Sequence, residues 1–148
     1  MMDKSLNAAL HAAGAVTDAV DLVLEDKSKS AFCSVRPPGH HAGRASSSGF
    51  CIFNNIAVGA MHALEVHGLD RVAIIDFDVH HGNGTQNIVE GDKRVLFCSS
   101  FQHPFYPFSG AEPCRKGSVN VPLPAGTTGR EYHVLVKNWV TEMDEFNT

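Results

Sequence analysis

Residues 73–84 read AIIDFDVHHGNG. An apolar, β-type run over 72–76 ends in a carboxylate. Asp78 and His80 then alternate with Phe77 and Val79, and His81, Gly82, Asn83 and Gly84 follow. A strand buried on both faces cannot close on two carboxylates and two imidazoles unless those groups have partners. Residues two apart on a strand point to one side. The spacing therefore predicts that Asp76, Asp78 and His80 are presented together where the strand leaves its sheet. A carboxylate beside an imidazole suits zinc or a similar divalent ion. For D-x-H alone, a buried ion pair at a strand end is the simpler reading. A second histidine pair, His40–His41, shifts the balance toward a site.

Outward from this stretch, strands alternate with helices. Toward the N-terminus, a helix over 56–67 is capped by Asn54 or Asn55, with Ile56, Ala60, Ala63 and Leu64 facing inward and Gly68 at its C′ position. His62 and His67 on it read as structural or exposed. Before it, residues 49–54 re-enter the core and 42–48 form a small, polar loop. A short buried strand over 31–35 stops at Arg36-Pro37-Pro38-Gly39, because proline fixes φ and removes a donor. His40 and His41 follow that stop. The first helix, capped by Ser5 or Asn7, runs to about Glu25. Leu10, Ala13, Val16, Val20, Val23 and Leu24 form its buried stripe, and Asp18, Asp21 and Glu25 its wet face. His11 reads as a surface or core-edge residue.

The second strand is expected over 71–78; toward the C-terminus, a turn over 82–84 leads to a short helix over 85–89, and a third strand covers 94–100. A long loop over 101–117 follows, and loops of that length are often functional. Its Phe101, Phe105, Tyr106 and Phe108 either wall a pocket or fold back as a lid on the core. A fourth strand spans 118–123. A last helix spans 130–146, with Tyr132, Leu135, Val136, Trp139 and Met143 on one side. This order predicts an α/β fold with a mainly parallel sheet flanked by helices and right-handed crossovers. Ligand sites in such sheets lie outside the carboxyl ends of the strands, where both polar clusters fall.

The chain has 148 residues, enough for one ordinary domain with a sizeable core. Its formal charge of −4 leaves no basic footprint for direct nucleic-acid binding. Mean hydropathy of −0.09 and the lack of a long apolar run argue against a membrane span. The first residues lack the pattern of a signal peptide, so a cytoplasmic location is expected, or a nuclear one in a eukaryote. Cys33, Cys51, Cys98 and Cys114 are widely spaced, with no C-x-x-C, and read as free thiols in a reducing compartment.

Gathered at one edge, these groups make a chemical kit. Asp78 and His80 can hold a metal. Asp76 and Asn83 are spare polar groups able to orient the imidazoles of His40 and His41. A carboxylate partner favours the charged imidazole and an amide does not, so the two histidines would differ in basicity. One would serve as base and the other as acid or electrostatic helper in metal-assisted hydrolysis.

RPPGHHAG, GFCIFNN and IDFDVHHGNGTQ, in that order, resemble the zinc-dependent histone deacetylase and acetylpolyamine amidohydrolase superfamily, and Asn83 places the likeness nearer its class II and bacterial members. The likeness runs from about Ala31 to Leu123. It implies an arginase/deacetylase-like α/β fold, incomplete at both ends, with residues 1–148 as a partial domain. It implies Zn²⁺ held by Asp78 and His80. His41 would be general base toward the zinc's water, with Asn83 as its partner. His40 would be the acid or electrostatic partner, oriented by Asp76. Gly49 would meet an acetyl-lysine or acetylpolyamine chain by its backbone, and Phe50 would wall its tunnel. K⁺ would sit on Asp76, Ser99, Ser100 and the backbone of Asp78 and His80. A peripheral second cation would use backbone near Val89, Asp92 and Val95. The family's third zinc ligand and its transition-state tyrosine or histidine come from later segments that this sequence does not contain. Two functions are therefore expected as alternatives. One is an amide hydrolase of this family. The other is an inactive truncated module that binds a partner, or itself, through exposed sheet edges.

Overall fold

The computed structural model of the chain describes residues 2–114 and 116–147; Arg115 of the expected long loop lies outside them. Its elements are α1 (Ser5–Leu24), α2 (Asn55–Glu65), β1 (Val72–Asp76), α3 (Asn83–Val89), β2 (Val95–Gln102), β3 (Ser118–Leu123), α4 (Gly129–Val136) and α5 (Asn138–Phe146). The three strands form one sheet in the order β1-β2-β3, parallel throughout. Asp76 lies beside Ser99 in register.

The central strand, β2, is buried along all but its last residue. Its alternate side chains feed two cores, as a strand covered on both faces must. Val95 and Phe97 join Ile74, Ala60, Leu64 and Val89 under α2 and α3. Leu96 and Cys98 join Trp139 on the other face, with Val136, Met143 and Phe146 packed against them. Helices thus cover both faces, the layered α/β arrangement expected from the alternation of elements.

Asn54 is the polar fastener of this half of the fold. Its Oδ1 accepts the Ala57 N–H at 3.1 Å, capping α2. Its Nδ2 donates to the Ala42 carbonyl at 3.0 Å and to Thr85 Oγ1 at 3.1 Å. One buried amide therefore ties together the loop after His41, the start of α2 and the first turns of α3.

Several expectations are corrected. Residues 31–35 form no strand: no described strand runs beside them, and Phe32 is 92% exposed. An apolar run becomes a strand only where a neighbour completes its ladder. In α1 the fully buried positions are Ala9 and Ala12, whereas Leu10 and Leu24 face outward. Small residues mark the contact because α1 packs closely on α2, with Val16 and Val20 set against Gly59. Ile56 and Leu135 are exposed. The expected last helix is two, α4 and α5, joined through Lys137. Thr128 and Glu131 form a capping box at the start of α4. Asn83 and Gly84 belong to α3 rather than to the turn before it. Among the described residues, no helix is long and apolar enough to cross a membrane.

Two measurements check this packing. Burial pushes the Cys98 thiol up to about 12, with the Glu142 carboxylate adding to the rise. Cys51 is also buried, and burial raises its pKa too. Native-state alkylation should mark Cys33 and Cys114 and spare Cys51 and Cys98; prompt labelling of Cys98 would contradict the two-sided sheet. Asn54→Ala should cost about 2–4 kcal/mol in urea unfolding, while Ile56→Ala stays within about 0.5 kcal/mol. Equal losses would remove Asn54 from its place in the fold.

Candidate active site

Three loops meet beyond the carboxyl end of β1. β1 stops at Asp76, and residues 78–80 bend instead of extending the strand. Asp76 Oδ1 accepts the Asp78 N–H at 3.2 Å, and Asp78 Oδ1 accepts the His80 N–H at 2.7 Å. Two successive carboxylate turns of this kind are a local aspartate habit. Asp78 and His80 are therefore joined by turn chemistry, not by the alternation of a strand. Asp78 Oδ1 and His80 Nδ1 lie 2.9 Å apart. Both side chains stay partly open to solvent, at 48% and 33%.

His40 and His41 arrive from the Pro-Pro-Gly turn with ring centroids 4.1 Å apart. Their partners differ. His40 Nδ1 donates to Asp76 Oδ2 at 2.9 Å, and its Nε2 stands 4.0 Å from Asp78 Oδ1. His41 Nδ1 donates to Asn83 Oδ1 at 2.7 Å. An amide oxygen can only accept, so this bond places the His41 proton on Nδ1 and leaves the Nε2 lone pair unclaimed. The His41 and His80 rings are 5.9 Å apart.

The pair is clamped by its backbone. The His40 carbonyl accepts the Thr85 N–H at 3.0 Å. Ser48 Oγ donates to the His41 carbonyl at 2.9 Å. Gly49 lies against the His41 ring with φ +53°, and a Cβ there would collide with His41 Cδ2. Only glycine satisfies both demands.

Electrostatics separates the two imidazoles. Burial works against charge on His40, but the hydrogen bond and field of Asp76, with the field of Asp78, outweigh it and raise its pKa. Burial lowers the pKa of His41; Asn83 offsets this only in part, and the neighbouring imidazoles lower it further. Burial tends to raise Asp78, yet bonds from the backbone and ring of His80 and the charge of His40 hold its carboxyl below the usual range.

Asp78 and His80 offer an ionised oxygen and a ring nitrogen at one point. That donor set fits zinc as two of the three protein ligands of a catalytic site. Among the described residues, no third His, Cys, Asp or Glu completes a cluster with them within 4.8 Å. For a monovalent cation, Ser99 is the informative group: its hydroxyl is wholly buried and has no hydrogen-bond partner. It sits across the sheet from Asp76. The Ser100 hydroxyl is instead shared with Tyr132 Oη at 3.1 Å. At the peripheral position, both Asp92 carboxylate oxygens are taken by Arg94.

The aromatic loop divides its residues. Phe105 stacks on His80 at 5.2 Å, and Tyr106 stands edge-on to His41 at 5.1 Å. Phe101, expected in this loop, belongs instead to β2, where pairing with β3 continues through Gln102; it is core and packs on His81, while Phe108 is exposed. Phe50, with φ +65°, projects into solvent at 92% exposure beside the clamp at Gly49. His81 turns away from the site and anchors the loop. Its Nε2 donates to Gln86 Oε1 at 2.8 Å and its Nδ1 accepts from Ser109 Oγ at 2.9 Å. Nothing in the sequence separates His81 from His80; only the bend after Asp76 does.

Residues 1–147 match the histone deacetylase domain. The chain is 48% identical to type-2 histone deacetylase 2 of Dictyostelium discoideum over 74% of its length and 7% of that protein's. It is 44% identical to a probable deacetylase of Archaeoglobus fulgidus over 86% of its own length and 37% of that protein's. It is 45% identical to the rat polyamine deacetylase HDAC10, Rattus norvegicus, over 75% and 21%. Among solved structures, the HDA15 HD domain superposes with a TM-score of 0.85 at 38% identity, covering 94% of this chain and 43% of that one. The chain thus spans less than half the length of these relatives. By sequence and by fold, it belongs to the histone deacetylase domain family.

Proposed function

We propose that this chain carries the acid–base half of a zinc-dependent amidohydrolase that removes acetyl groups from acetyl-lysine or acetylpolyamine-type amines. The observation that carries the reading is the unequal anchoring of the histidine pair, His40 on Asp76 and His41 on Asn83, beside Asp78 and His80. Zinc, held by Asp78 and His80, would supply Lewis acidity toward the acetyl carbonyl and acidify water.

The protein's own groups divide the remaining work. His41 keeps Nε2 unprotonated and takes the proton from the attacking water there. Its Nδ1 proton stays on Asn83, so the ring remains oriented through the transfer. His40, favoured in its charged form by Asp76, stabilises developing negative charge and gives a proton to the departing amine. Phe50, Phe105 and Tyr106 offer aromatic walls for the methylene chain of the substrate, and the Gly49 backbone lies alongside. The buried, unpartnered Ser99 hydroxyl beside Asp76 supports a potassium ion beneath the zinc loop, since hard oxygen donors suit it. The acidic net charge is compatible with a cationic substrate.

A second reading rests on a different observation. β1 and β3 each leave one edge unpaired among the described residues, and open edges recruit partners. On that reading the chain is a binding module that self-associates or joins another chain, without turnover.

The protein as isolated, loaded with zinc, should hydrolyse an acetyl-lysine peptide or an acetylpolyamine. A chelator should abolish turnover and added zinc restore it. His41→Ala should lower the rate by about 10²–10⁴-fold with little change in far-UV circular dichroism. Turnover that survives the chelator or His41→Ala would refute the hydrolase mechanism. A folded, zinc-loaded chain without turnover would refute hydrolysis by this chain and support the binding module, whose own test is self-association or capture of a partner strand.

A further inference from the structure

Away from the histidine pair, three donors from different segments converge on one spot. Asp21 lies in the last turn of α1, His62 in the last turn of α2, and His67 in the turn that follows α2. His62 Nε2 is 2.6 Å from Asp21 Oδ1, and His67 Nε2 is 2.7 Å from the same oxygen. The two rings stand edge to face, with centroids 5.4 Å apart. All three donor atoms lie within 4.8 Å of one another, and among the described residues no other His, Cys, Asp or Glu group gathers so closely. Asp21, expected on the wet face of α1, is thus engaged by both imidazoles that read as structural.

We infer that Asp21, His62 and His67 form a second divalent-metal site, of the zinc class, that staples α1 to α2. Two imidazole nitrogens and one carboxylate oxygen are a common three-ligand set for a first-row transition ion, with further positions left for water. The carboxyl of Asp21 is held below its usual range by hydrogen bonds from His67 and His62, so the oxygen is ionised and ready to bind. The spot lies where two helices end. The carbonyl ends of both dipoles favour a cation there. The three side chains are partly exposed, at 40%, 21% and 20%, which gives an ion a path in. A metal would take the two Nε2 lone pairs, each neutral ring then carrying its single proton on Nδ1, with the donors opening slightly to the spacing that bonds of ~2.0–2.1 Å demand.

The site shares no residue with the Asp78–His80 pair and needs nothing from it, so the two readings fail separately. Equilibrium dialysis of the isolated protein against zinc, with metal counted per chain, tests it. Asp78→Ala/His80→Ala should retain zinc, and in that background His62→Gln/His67→Gln should lose it. Glutamine keeps an amide donor for Asp21, so the helix contact survives while the metal ligands go. Zinc should also raise the unfolding midpoint of Asp78→Ala/His80→Ala by several degrees and leave the quadruple variant unmoved. Zinc content and midpoint that ignore His62→Gln/His67→Gln would overturn the proposal and leave a hydrogen-bonded clasp between α1 and α2 in its place.

Discussion

One carboxylate, Asp76, holds the candidate site together. It ends β1, receives the His40 ring on Oδ2 and receives the backbone of Asp78 on Oδ1. A loop 36 residues earlier in sequence and a turn two residues later are thereby fixed to a single strand end. Its in-register neighbour is the buried Ser99. A carboxylate in so enclosed a place demands positive or donating partners on every side. The geometry of His40, Asp78 and the floor beneath them answers that demand. Asn54 performs the neutral counterpart one layer back, joining the loop after His41 to α2 and α3.

The sheet explains why these groups meet at all. Parallel strands deliver their carboxyl ends to one edge, and helices on both faces leave that edge as the open one. β2 makes the arrangement rigid, because its side chains are divided between two cores with no water-facing side. On such a floor, small differences in hydrogen bonding become differences in chemistry. The adjacent histidines are equivalent in sequence. Burial opposes charge on both; the Asp76 carboxylate outweighs it at His40, the Asn83 amide does not at His41, and they hold protons unequally.

Much of this was legible in the sequence where periodicity and chemistry agreed. The strands around Ile74, Phe97 and Val121 announce themselves by length and β-branching, and the parallel sheet follows from their alternation with helices. Asp76, Asp78, His80 and the histidine pair stand out because charged groups at the end of an apolar strand need a reason. The misreadings have physical causes. An apolar run at 31–35 looks like a strand, but strand formation depends on a neighbour that no local pattern reports. Leu10 and Ile56 look like core residues, yet α1 and α2 approach so closely that Ala9, Ala12 and Gly59 take the contact. Asp78 and His80 were expected together through strand alternation; two aspartate turns bring them together instead. The meeting of Asp21 with His62 and His67 depends on how α1 crosses α2, and 41 to 46 residues of separation hide it from any motif.

The central claim is that Asp78 and His80 bind one metal ion with the His41 base beside it. Anomalous diffraction at the zinc absorption edge, from crystals grown with zinc, examines this most directly. A peak between Asp78 Oδ1 and His80 Nδ1, with His41 Nε2 facing it and His41 Nδ1 still on Asn83, is the expected result. Zinc bound elsewhere while that position stays empty, or the His41 ring turned away from it, would contradict the account.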